Sequence, residues 1–348
     1  MIAKLTSTFN ASTLLTDENQ LRLQDLWQQG TSAWFQGQSQ CRLHYRYWLT
    51  PNAQAALVIV PGRIEATHKY LEVCADAVAA GYQVFMIDHR GQGCSDRLSA
   101  DRQIGLVLDF NHYIADLALW FEEISTLTSL PLVALAHSMG GAILAGYLQN
   151  IDRQNIVLQK SERQSAAKIK LSAAIFCSPM WGLPTAPMSS SFARSLASSI
   201  SKLNQTISTR FWYVPGQGPY HEKPFADNDL TTCPERYQWF RQLYKQYPEY
   251  QIGGVSWTWL ACALTACQGL LLGTVPQLPM LLLQAEQERV VDNDAQDRLW
   301  QHWRAGDKVV ISQAEHELLC GEDWQRQQVY QAINQFLANL ALSNNNNV

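Results

Sequence analysis

The sequence predicts an α/β protein in which a mostly parallel sheet is flanked by helices. Short apolar runs recur at 56–60, 83–87, 131–136 and 171–177, and stretches with helical periodicity separate them. Strands that are apolar along their whole length are typical of parallel sheets covered on both faces. The alternation stops after 177 and resumes with the apolar run 280–284. We therefore expect one sheet interrupted by an insertion of roughly 100 residues, the size of a small domain.

The domain organisation follows from this interruption. Residues 1–177 and 278–348 are predicted to form the two parts of one core, with 178–277 inserted between them as a helical cap. The first 30 residues are polar with a leucine stripe, so 1–30 is predicted to be a helical extension of the core. Alternating residues with several aromatics from 32 to 49 indicate antiparallel strands before the parallel part begins.

Composition and charge limit the partners of the chain. Its 348 residues carry a net charge of -4, whereas a surface that binds nucleic-acid phosphates needs an excess of Lys and Arg, so we expect no nucleic-acid partner. The eight cysteines are scattered without a C-x-x-C pair, which indicates reduced structural thiols, and we expect neither a metal nor a cofactor. No protein partner is inferred. The first residues lack the continuous apolar core of a signal peptide, so we expect a cytoplasmic protein, at most peripheral on the inner face of the cell membrane.

Two apolar segments of the insertion raise the question of membrane contact. The stretch Val255–Leu272 approaches the length that spans a bilayer, but it lacks flanking Lys or Arg anchors and contains polar residues, so we predict a buried or lid helix. Another segment has one apolar helical face, which either packs on the core or lies on a bilayer surface; its residues are Phe192, Leu196, Ile200, Leu203 and Ile207. Only Arg194 and Lys202 are cationic nearby, so any membrane binding is expected to be loose and reversible.

The strongest chemical signal is the segment from Leu135 to Gly141, which reads Leu-Ala-His-Ser-Met-Gly-Gly. It has the G-x-S-x-G pattern of a nucleophile elbow with Ala136 in the first small position, and it lies between an apolar strand and a helix. In such a tight turn the residues two before and two after the serine must be small, as Ala136 and Gly140 are. The sequence therefore predicts an α/β-hydrolase fold with Ser138 as the nucleophile.

A nucleophilic serine needs a histidine base and a carboxylate that orients the base, in the chain order Ser, acid, His. His316 follows the last predicted strand and is the candidate base. Three carboxylates follow the preceding strand: Glu286, Glu288 and Asp292. Glu288 is preferred because it lies in the first turn of the loop, whereas Asp292 is placed to cap the next helix and is the alternative acid.

The oxyanion hole of such a site needs two backbone N–H groups. One belongs to the residue after the nucleophile, Met139, and the other is expected from Arg63 in the loop after the strand 56–60, where Gly62 permits the backbone bend. The Arg63 side chain is a separate matter. It is either a solvated surface charge or a group that contacts a substrate phosphate or Glu65.

Several motifs together resemble the bacterial lysophospholipase and monoacylglycerol lipase group of α/β-hydrolases. They are Pro61-Gly62-Arg63-Ile64-Glu65, Asp88-His89-Arg90-Gly91-Gln92-Gly93, Ala136-His137-Ser138-Met139-Gly140-Gly141, the segment 281–292 and Ala314-Glu315-His316-Glu317. The resemblance covers nearly the whole chain from about Trp34, and it places Glu288 where the group usually has an Asp and Pro61 where many members have His. Asp88 and Arg90 are predicted to form a structural ion-pair network.

The chemistry implied is acyl transfer through an acyl-enzyme on Ser138. The resemblance implies a single-chain lipid ester as substrate, lysophospholipid first and monoacylglycerol second. A general carboxylesterase, a peptidase, a thioesterase or a non-catalytic binding protein of the same fold are the alternatives. Aromatic residues of the cap are expected to line an acyl pocket; these are Trp181, Phe192, Trp212, Tyr213 and Trp257.

Overall fold

The computed structural model describes residues 4–151, 171–274, 276–303 and 306–345. Its strands are β1 (Thr31–Gln36), β2 (Arg42–Trp48), β3 (Ala56–Val60), β4 (Gln83–Ile87), β5 (Leu132–His137), β6 (Leu171–Cys177), β7 (Met280–Ala285) and β8 (Gly306–Ile311). Its α-helices are α1 (Ala11–Leu14), α2 (Asp17–Gln29), α3 (Leu71–Ala79), α4 (Asn111–Leu127), α5 (Met139–Ile151), α6 (Ser190–Ile207), α7 (Pro234–Gln246), α8 (Trp257–Leu272), α9 (Asn293–His302) and α10 (Asp323–Asn345).

Within the described residues the strands form one eight-stranded sheet in the order β1-β2-β4-β3-β5-β6-β7-β8. The β1–β2 and β2–β4 pairs are antiparallel and all the other pairs are parallel. Apolar residues cover both faces of the sheet, where they form two separate core clusters. The predicted α/β-hydrolase fold, with a mostly parallel sheet flanked by helices, is therefore confirmed.

The register of the parallel strands brings their carboxyl ends to one edge of the sheet. Val60 at the end of β3 pairs with Ala136 near the end of β5, and His137 pairs with Cys177 at the end of β6. Farther along, Ala285 at the end of β7 pairs with Ile311 at the end of β8. The loops that follow β3, β5, β7 and β8 consequently meet at this edge, which is where open α/β sheets bind their ligands.

The segment between β6 and β7 carries α6, α7 and α8, and these helices pack in different places. Helix α8 lies against α5 and α6, and its buried side chains include Trp259, Leu264 and Leu270. Helix α7 packs on the opposite face of the sheet from α8. It lies against α1, and its buried Arg236 pairs with Glu72 of α3 on that same face. The apolar stretch ending at Leu272 is thus a largely buried helix, and among the described helices none has the length and hydropathy to cross a bilayer.

Helix α6 packs through its small residues rather than its large ones. Its buried positions are Ala193, Ala197, Ser201 and Asn204, which face α8, and the Ser201 hydroxyl donates to Thr258 Oγ1 at 2.9 Å. The predicted apolar stripe lies on the adjacent side of the helix: Phe192, Leu203 and Ile207 are 57%, 52% and 62% exposed, whereas Leu196 and Ile200 are half-buried. The interpretation that the whole stripe packs on the core is therefore wrong for Phe192, Leu203 and Ile207, because periodicity shows which residues share a face and not which face is covered.

Candidate active site

Ser138 occupies a strained turn between β5 and α5. Its φ is 50°, a left-handed conformation that costs a non-glycine residue about 1–3 kcal/mol. Backbone hydrogen bonds hold this geometry: the Ser138 N–H donates to the Cys177 carbonyl at 3.1 Å, and the Ser138 carbonyl accepts from Met180 N–H at 2.8 Å. The side chain therefore projects at the carboxyl edge of the sheet, as the elbow motif predicts.

The glycine two residues after Ser138 is required by close packing. A Cβ at Gly140 would lie 2.1 Å from the Val60 carbonyl oxygen and 2.4 Å from that of Pro61. Backbone atoms cannot move aside as a flexible side chain can, so any side chain here would separate the loop after β3 from the elbow. The small-residue requirement of the motif has this physical origin.

The histidine and the acid of the motif meet at Ser138. The Ser138 Oγ lies 2.9 Å from His316 Nε2, and His316 Nδ1 lies 2.9 Å from Glu288 Oε2. Because an ionised carboxylate only accepts hydrogen bonds, Nδ1 carries the proton and Nε2 accepts from the serine hydroxyl. All three side chains are almost completely buried. The arrangement can take a proton from Ser138 and stabilise the resulting imidazolium.

Glu288 is held as an anion by its own loop. Its Oε1 accepts from Val290 N–H at 2.8 Å and from Val291 N–H at 3.2 Å. Burial by itself raises the pKa of Glu288, but the hydrogen bond and charge of His316, together with these N–H groups, outweigh it and hold the pKa below its usual value. The glutamate reaches His316 because the loop turns back on its carboxylate.

The other two candidate acids lie elsewhere. Asp292 caps α9, where its Oδ1 accepts from Asp294 N–H at 2.9 Å and Ala295 N–H at 3.2 Å. Glu286 lies on an exposed loop and accepts from Gln313 N–H at 2.7 Å. Of the three, the structure places only Glu288 against His316.

The loop after β3 lies beside the nucleophile. A Cβ at Gly62 would be 3.0 Å from the Ser138 Cβ, so the backbone of this glycine packs closely against the serine side chain. The Gly62 N–H donates to Glu65. The N–H of the next residue, Arg63, has no acceptor among the residues that the structure describes. Met139 is the first residue of α5, where N–H groups also lack intrahelical acceptors. Both N–H groups therefore belong to segments that adjoin the serine and have no intrahelical or loop acceptor of their own among the described residues.

Strain and side-chain contacts fix the shape of this loop. Ile64 has a φ of 66°, an outlier for a β-branched residue. Its N–H donates to Gln92 Oε1 at 3.0 Å, and its carbonyl accepts from the Tyr244 hydroxyl of α7 at 2.6 Å. The Gln92 amide also donates to the Gly62 carbonyl at 2.9 Å. The loop after β3, which carries Arg63, is thus held by Gln92 on one side and by Tyr244 of α7 on the other.

A buried ionic network behind the site was not anticipated from the sequence. Lys69 Nζ lies 2.7 Å from Glu65 and 2.5 Å from Glu317, the residue after His316. Burial alone lowers the pKa of Lys69, but the two carboxylates outweigh it and hold the pKa well above its usual value. This network ties the loop of Arg63 to the loop of His316. The i,i+4 spacing of Glu65 and Lys69 is a sequence signal for the first ion pair, whereas nothing local indicates the second.

His137 completes the network beneath the catalytic loop. Its Nδ1 lies 3.4 Å from Glu65 and its Nε2 lies 3.3 Å from the His316 carbonyl, so both ring nitrogens face acceptors. Burial lowers the pKa of His137, yet Glu65 outweighs it and raises the pKa above the usual value. A charged His137 can donate to both neighbours at once.

The predicted acyl-pocket residues do not form one lining. Trp181 is fully buried between Phe176 and Trp303 in the core, and Phe192 faces outward on α6. A cavity of about 640 Å³ lies between α4, α5, α6 and α8, but neither the described aromatics of the prediction nor Ser138 line it. The prediction is wrong for Trp181 and Phe192 because aromatic content does not distinguish a core from a pocket.

Comparison with known proteins places this geometry in a family. Residues 51–323 match the family Hydrolase_4, described as serine aminopeptidase, S33. Lysophospholipase L2 of Escherichia coli strain K12 is 34% identical over 90% of this chain and 89% of its own length. A probable lysophospholipase L2 of Haemophilus influenzae is 29% identical over 89% of this chain and 93% of its own length.

Solved structures agree on the fold. A soluble variant of monoglyceride lipase from Saccharomyces cerevisiae, in complex with a substrate analogue, matches with a TM-score of 0.63 at 15% identity, covering 89% of this chain and 96% of the other. At this identity the match speaks for the fold alone, while the sequence relatives and the family match carry the assignment. The chain belongs to the Hydrolase_4 family, and it is an ester hydrolase of the lysophospholipase and monoacylglycerol lipase group of α/β-hydrolases.

Proposed function

We propose that this protein hydrolyses the carboxylic ester of lysophospholipids through an acyl-enzyme on Ser138. The observation that carries the proposal is the continuous hydrogen-bonded chain from Ser138 through His316 to Glu288, with 2.9 Å at both contacts, in a chain 34% identical to a lysophospholipase. Monoacylglycerol is the second candidate substrate, since a monoacylglycerol lipase of Mycolicibacterium smegmatis is 30% identical over 32% of this chain and 39% of its own length.

The first half of the reaction forms the acyl-enzyme. Ser138 Oγ attacks the ester carbonyl carbon while His316 Nε2 takes the hydroxyl proton, and Glu288 stabilises the imidazolium. The negative charge moves to the carbonyl oxygen, where the Arg63 and Met139 N–H groups donate to it. Such preorganised donors typically contribute about 3–4 kcal/mol to transition-state stabilisation. His316 then gives its proton to the leaving alcohol as the ester C–O bond breaks.

The second half returns the enzyme to its starting state. Water attacks the acyl carbonyl while His316 takes one of its protons, and the same two N–H groups hold the oxyanion. Breakdown of this intermediate returns the proton from His316 to Ser138 and releases the fatty acid. All the groups in this scheme belong to the chain itself.

A product assay tests the proposal directly. Purified protein is incubated with a lysophospholipid, a monoacylglycerol of the same acyl chain, a short nitrophenyl ester and an aminoacyl arylamide, and the released acid or amine is measured. We expect the lysophospholipid to give the highest kcat/KM. The arylamide is included because the family description names an aminopeptidase. Hydrolysis of the arylamide alone would contradict the proposal, and a lack of fluorophosphonate labelling would indicate a non-catalytic protein.

We further propose that the protein acts in the cytoplasm and touches the inner face of the membrane loosely through α6. Phe192, Leu203 and Ile207 present a row of exposed apolar side chains on this helix. Burying them in the interfacial region of a bilayer is favourable by roughly 25 cal/mol per Å² of apolar surface. With only Arg194 and Lys202 as cations on the helix, the charge contribution is small, so binding depends on the apolar side chains.

Vesicle flotation measures this contact. The double variant Phe192→Ser, Ile207→Ser is expected to float less than the parent at both low and high salt. Val310→Ser is the control, because Val310 is also exposed, at 46%, but lies on β8 at the edge of the sheet. Equal loss in both variants would contradict a specific role for α6, and release of the parent by salt alone would indicate a charge-driven contact.

A further inference from the structure

The Arg63 side chain extends from the loop beside Ser138 and has few partners among the described residues. Its Nη1 donates to the Gly253 carbonyl at 3.0 Å, and its guanidinium carbon lies 5.5 Å from the centre of the Trp259 ring. Neither of the alternatives of a surface charge or a contact with Glu65 describes it, since Arg63 is partly buried and Glu65 pairs with Lys69. A guanidinium has five N–H donors, so most of its hydrogen-bonding capacity is unused.

The fully buried cations of the described residues each contact at least one carboxylate within 3.0 Å; these cations are Lys69, Arg90, Arg236 and Arg326. Half-buried arginines of the described chain do not, but Arg46 and Arg97 each donate to two or more backbone carbonyls, whereas Arg63 donates to one. No carboxylate of the described chain lies within 4.0 Å of Arg63. Burial lowers the pKa of Arg63 to about 10, which still leaves the group charged at neutral pH. The half-buried guanidinium thus offers a positive charge and N–H donors that no described residue beyond Gly253 uses, which suits an anionic ligand.

The position of Arg63 limits what that partner can be. When an ester carbonyl oxygen binds the Arg63 N–H, the remaining substrate lies within reach of the same residue's side chain. In a 1-acyl lysophospholipid six bonds separate the carbonyl carbon from phosphorus, a span of about 7 Å at ordinary bond lengths. An extended arginine side chain reaches a similar distance from its Cα. One residue can therefore contact both the oxyanion and the phosphate of one molecule.

We propose that the Arg63 guanidinium binds the phosphate of the substrate and so selects lysophospholipids over uncharged monoacylglycerols, an inference that rests on the proposed function. Guanidinium groups match the geometry of phosphate oxygens and form two parallel hydrogen bonds with them. The Trp259 ring and the Gly253 carbonyl hold the group at the junction of the cap and the oxyanion loop. The phosphodiester supplies the charge that this part of the site lacks, whatever alcohol it carries beyond.

A substrate pair separates phosphate binding from a structural role. We compare kcat/KM for 1-acyl lysophosphatidylglycerol and 1-monoacylglycerol with the same acyl chain, in the parent and in Arg63→Met. If the Arg63 side chain only positions the loop, Arg63→Met should lower both kcat/KM values by the same factor. A phosphate contact lowers the lysophospholipid value by a further factor of roughly 10 to 100, the usual effect of losing a hydrogen bond to a charged group.

Arg97→Met is the matched control. Arg97 donates to backbone carbonyls of Gly93 and Ser95 and reaches the inserted segment at Glu249, but it does not belong to the oxyanion loop. We expect its ratio of the two kcat/KM values to equal that of the parent. The extra loss in Arg63→Met is also expected to be the same for choline, ethanolamine and glycerol head groups, because all three share the phosphodiester.

The outcomes are distinct. Equal losses on both substrates in Arg63→Met, or an extra loss that occurs with one head group only, would overturn the assignment of Arg63 while leaving the proposed function intact. A parent enzyme that hydrolyses the monoacylglycerol and no lysophospholipid would overturn the proposed function itself, and this inference with it. Partial recovery of the substrate ratio in Arg63→Lys would support a charge contact, since lysine retains the charge without the paired donors.

Discussion

Two Ser–His–carboxylate chains occur among the residues that the structure describes, and their comparison shows what distinguishes the proposed catalytic site. The first joins Ser138, His316 and Glu288. In the second, Ser32 Oγ lies 2.9 Å from His44 Nε2, and His44 Nδ1 lies 2.8 Å from Asp88 Oδ2. The heavy-atom distances are the same within 0.1 Å. Distances between the three side chains therefore do not distinguish them.

The carboxylates of the two chains are also alike. Asp88 is fully buried and accepts from Thr67 N–H at 2.6 Å and Cys94 N–H at 2.9 Å, much as Glu288 accepts from its own loop. Burial raises the pKa of Asp88, but the His44 contact and these N–H groups outweigh it and lower the pKa below its usual value. In both chains the anion orients the imidazole in the same tautomer.

The two serines differ in their backbone and surroundings. Ser32 lies within the edge strand β1, opposite Arg46 of β2, so its neighbours belong to a sheet ladder. Ser138 lies on an elbow with φ of 50°, between the first N–H groups of α5 and the loop of Arg63. Of these two serines, Ser138 is the one that adjoins the first turn of a helix and the loop of Arg63, whose N–H groups we propose as the oxyanion donors. The backbone, and not the triad of side chains, separates a catalytic site from a structural one.

Replacing the two serines is expected to give the largest contrast. Ser138→Ala should lower esterase kcat by at least about 10³-fold, because the nucleophile is lost while binding and the oxyanion donors remain. Ser32→Ala should keep activity within about threefold of the parent, since Ser32 contributes one hydrogen bond at an exposed site. Initial rates on a nitrophenyl ester measure both, with circular dichroism to verify folding. Fluorophosphonate labelling of Ser32 would break the distinction.

Replacing the acids is the next contrast. Glu288→Gln should lower kcat by roughly 10²- to 10⁴-fold, because the amide neither stabilises the imidazolium nor favours the correct tautomer. Asp292→Asn, at the cap of α9, should leave kcat near the parent value and lower the free energy of unfolding by at most about 1 kcal/mol. Steady-state kinetics and urea unfolding of both variants measure these effects. The reverse order of kcat values would assign the acid to Asp292.

Much of the sheet and the chain order of the site could be predicted from the sequence. Strands such as 56–60 are apolar along their whole length, and the parallel register then forces their following loops together. Ser138 could be predicted because it lies in an elbow motif directly after a predicted strand, and His316 because it is the histidine that follows the last predicted strand. The choice of Glu288 over Asp292 depended on the conformation of the loop, which the sequence does not show. In the structure the loop turns so that the Val290 and Val291 N–H groups donate to the Glu288 carboxylate.

The remaining features depend on contacts between distant parts of the chain. Lys69 meets Glu317 across 248 positions only because β3 and β8 end at the same edge of the sheet. The pair of His44 with Asp88 arises from the antiparallel pairing of β2 with β4, which no local motif announces. In an amphipathic helix the large apolar residues usually face the core. In α6 the smaller residues face α8 instead, because they allow the two helices to pack closely, and large apolar residues remain exposed. Long-range packing, which no local pattern encodes, decided these cases.

The ionic network behind His316 has no counterpart at His44 among the described residues, and Lys69→Met tests its contribution. The substitution leaves Glu65 and Glu317 buried without their cation, so we expect the free energy of unfolding to fall by about 3–5 kcal/mol. Urea unfolding measures the change. The double variant Lys69→Met, Glu317→Gln removes one of the unpaired charges and should recover part of it. If adding Glu317→Gln lowers the free energy of unfolding further, the loss in Lys69→Met is not caused by unpaired charges.

The smallest expected effect concerns acid stability, where the two chains should behave alike. Glu288 and Asp88 each have a pKa below the usual value in the folded protein, so each contributes stability above its unfolded pKa of about 4 and loses it as the pH falls through the lower folded value. As the pH falls below about 5, the parent should therefore lose stability faster than Glu288→Gln or Asp88→Asn, because each variant lacks one of the carboxylates whose pKa is lowered by folding. Urea unfolding at a series of pH values measures the slopes, and Ser138→Ala serves as a control with both carboxylates present. Similar slopes in the two acid variants would show that both anions are held equally firmly, which leaves the backbone around the serine as the source of the difference in function. An unchanged slope in Asp88→Asn would mean that the second carboxylate is not held as the first is, and the difference between the sites would then extend to their acids.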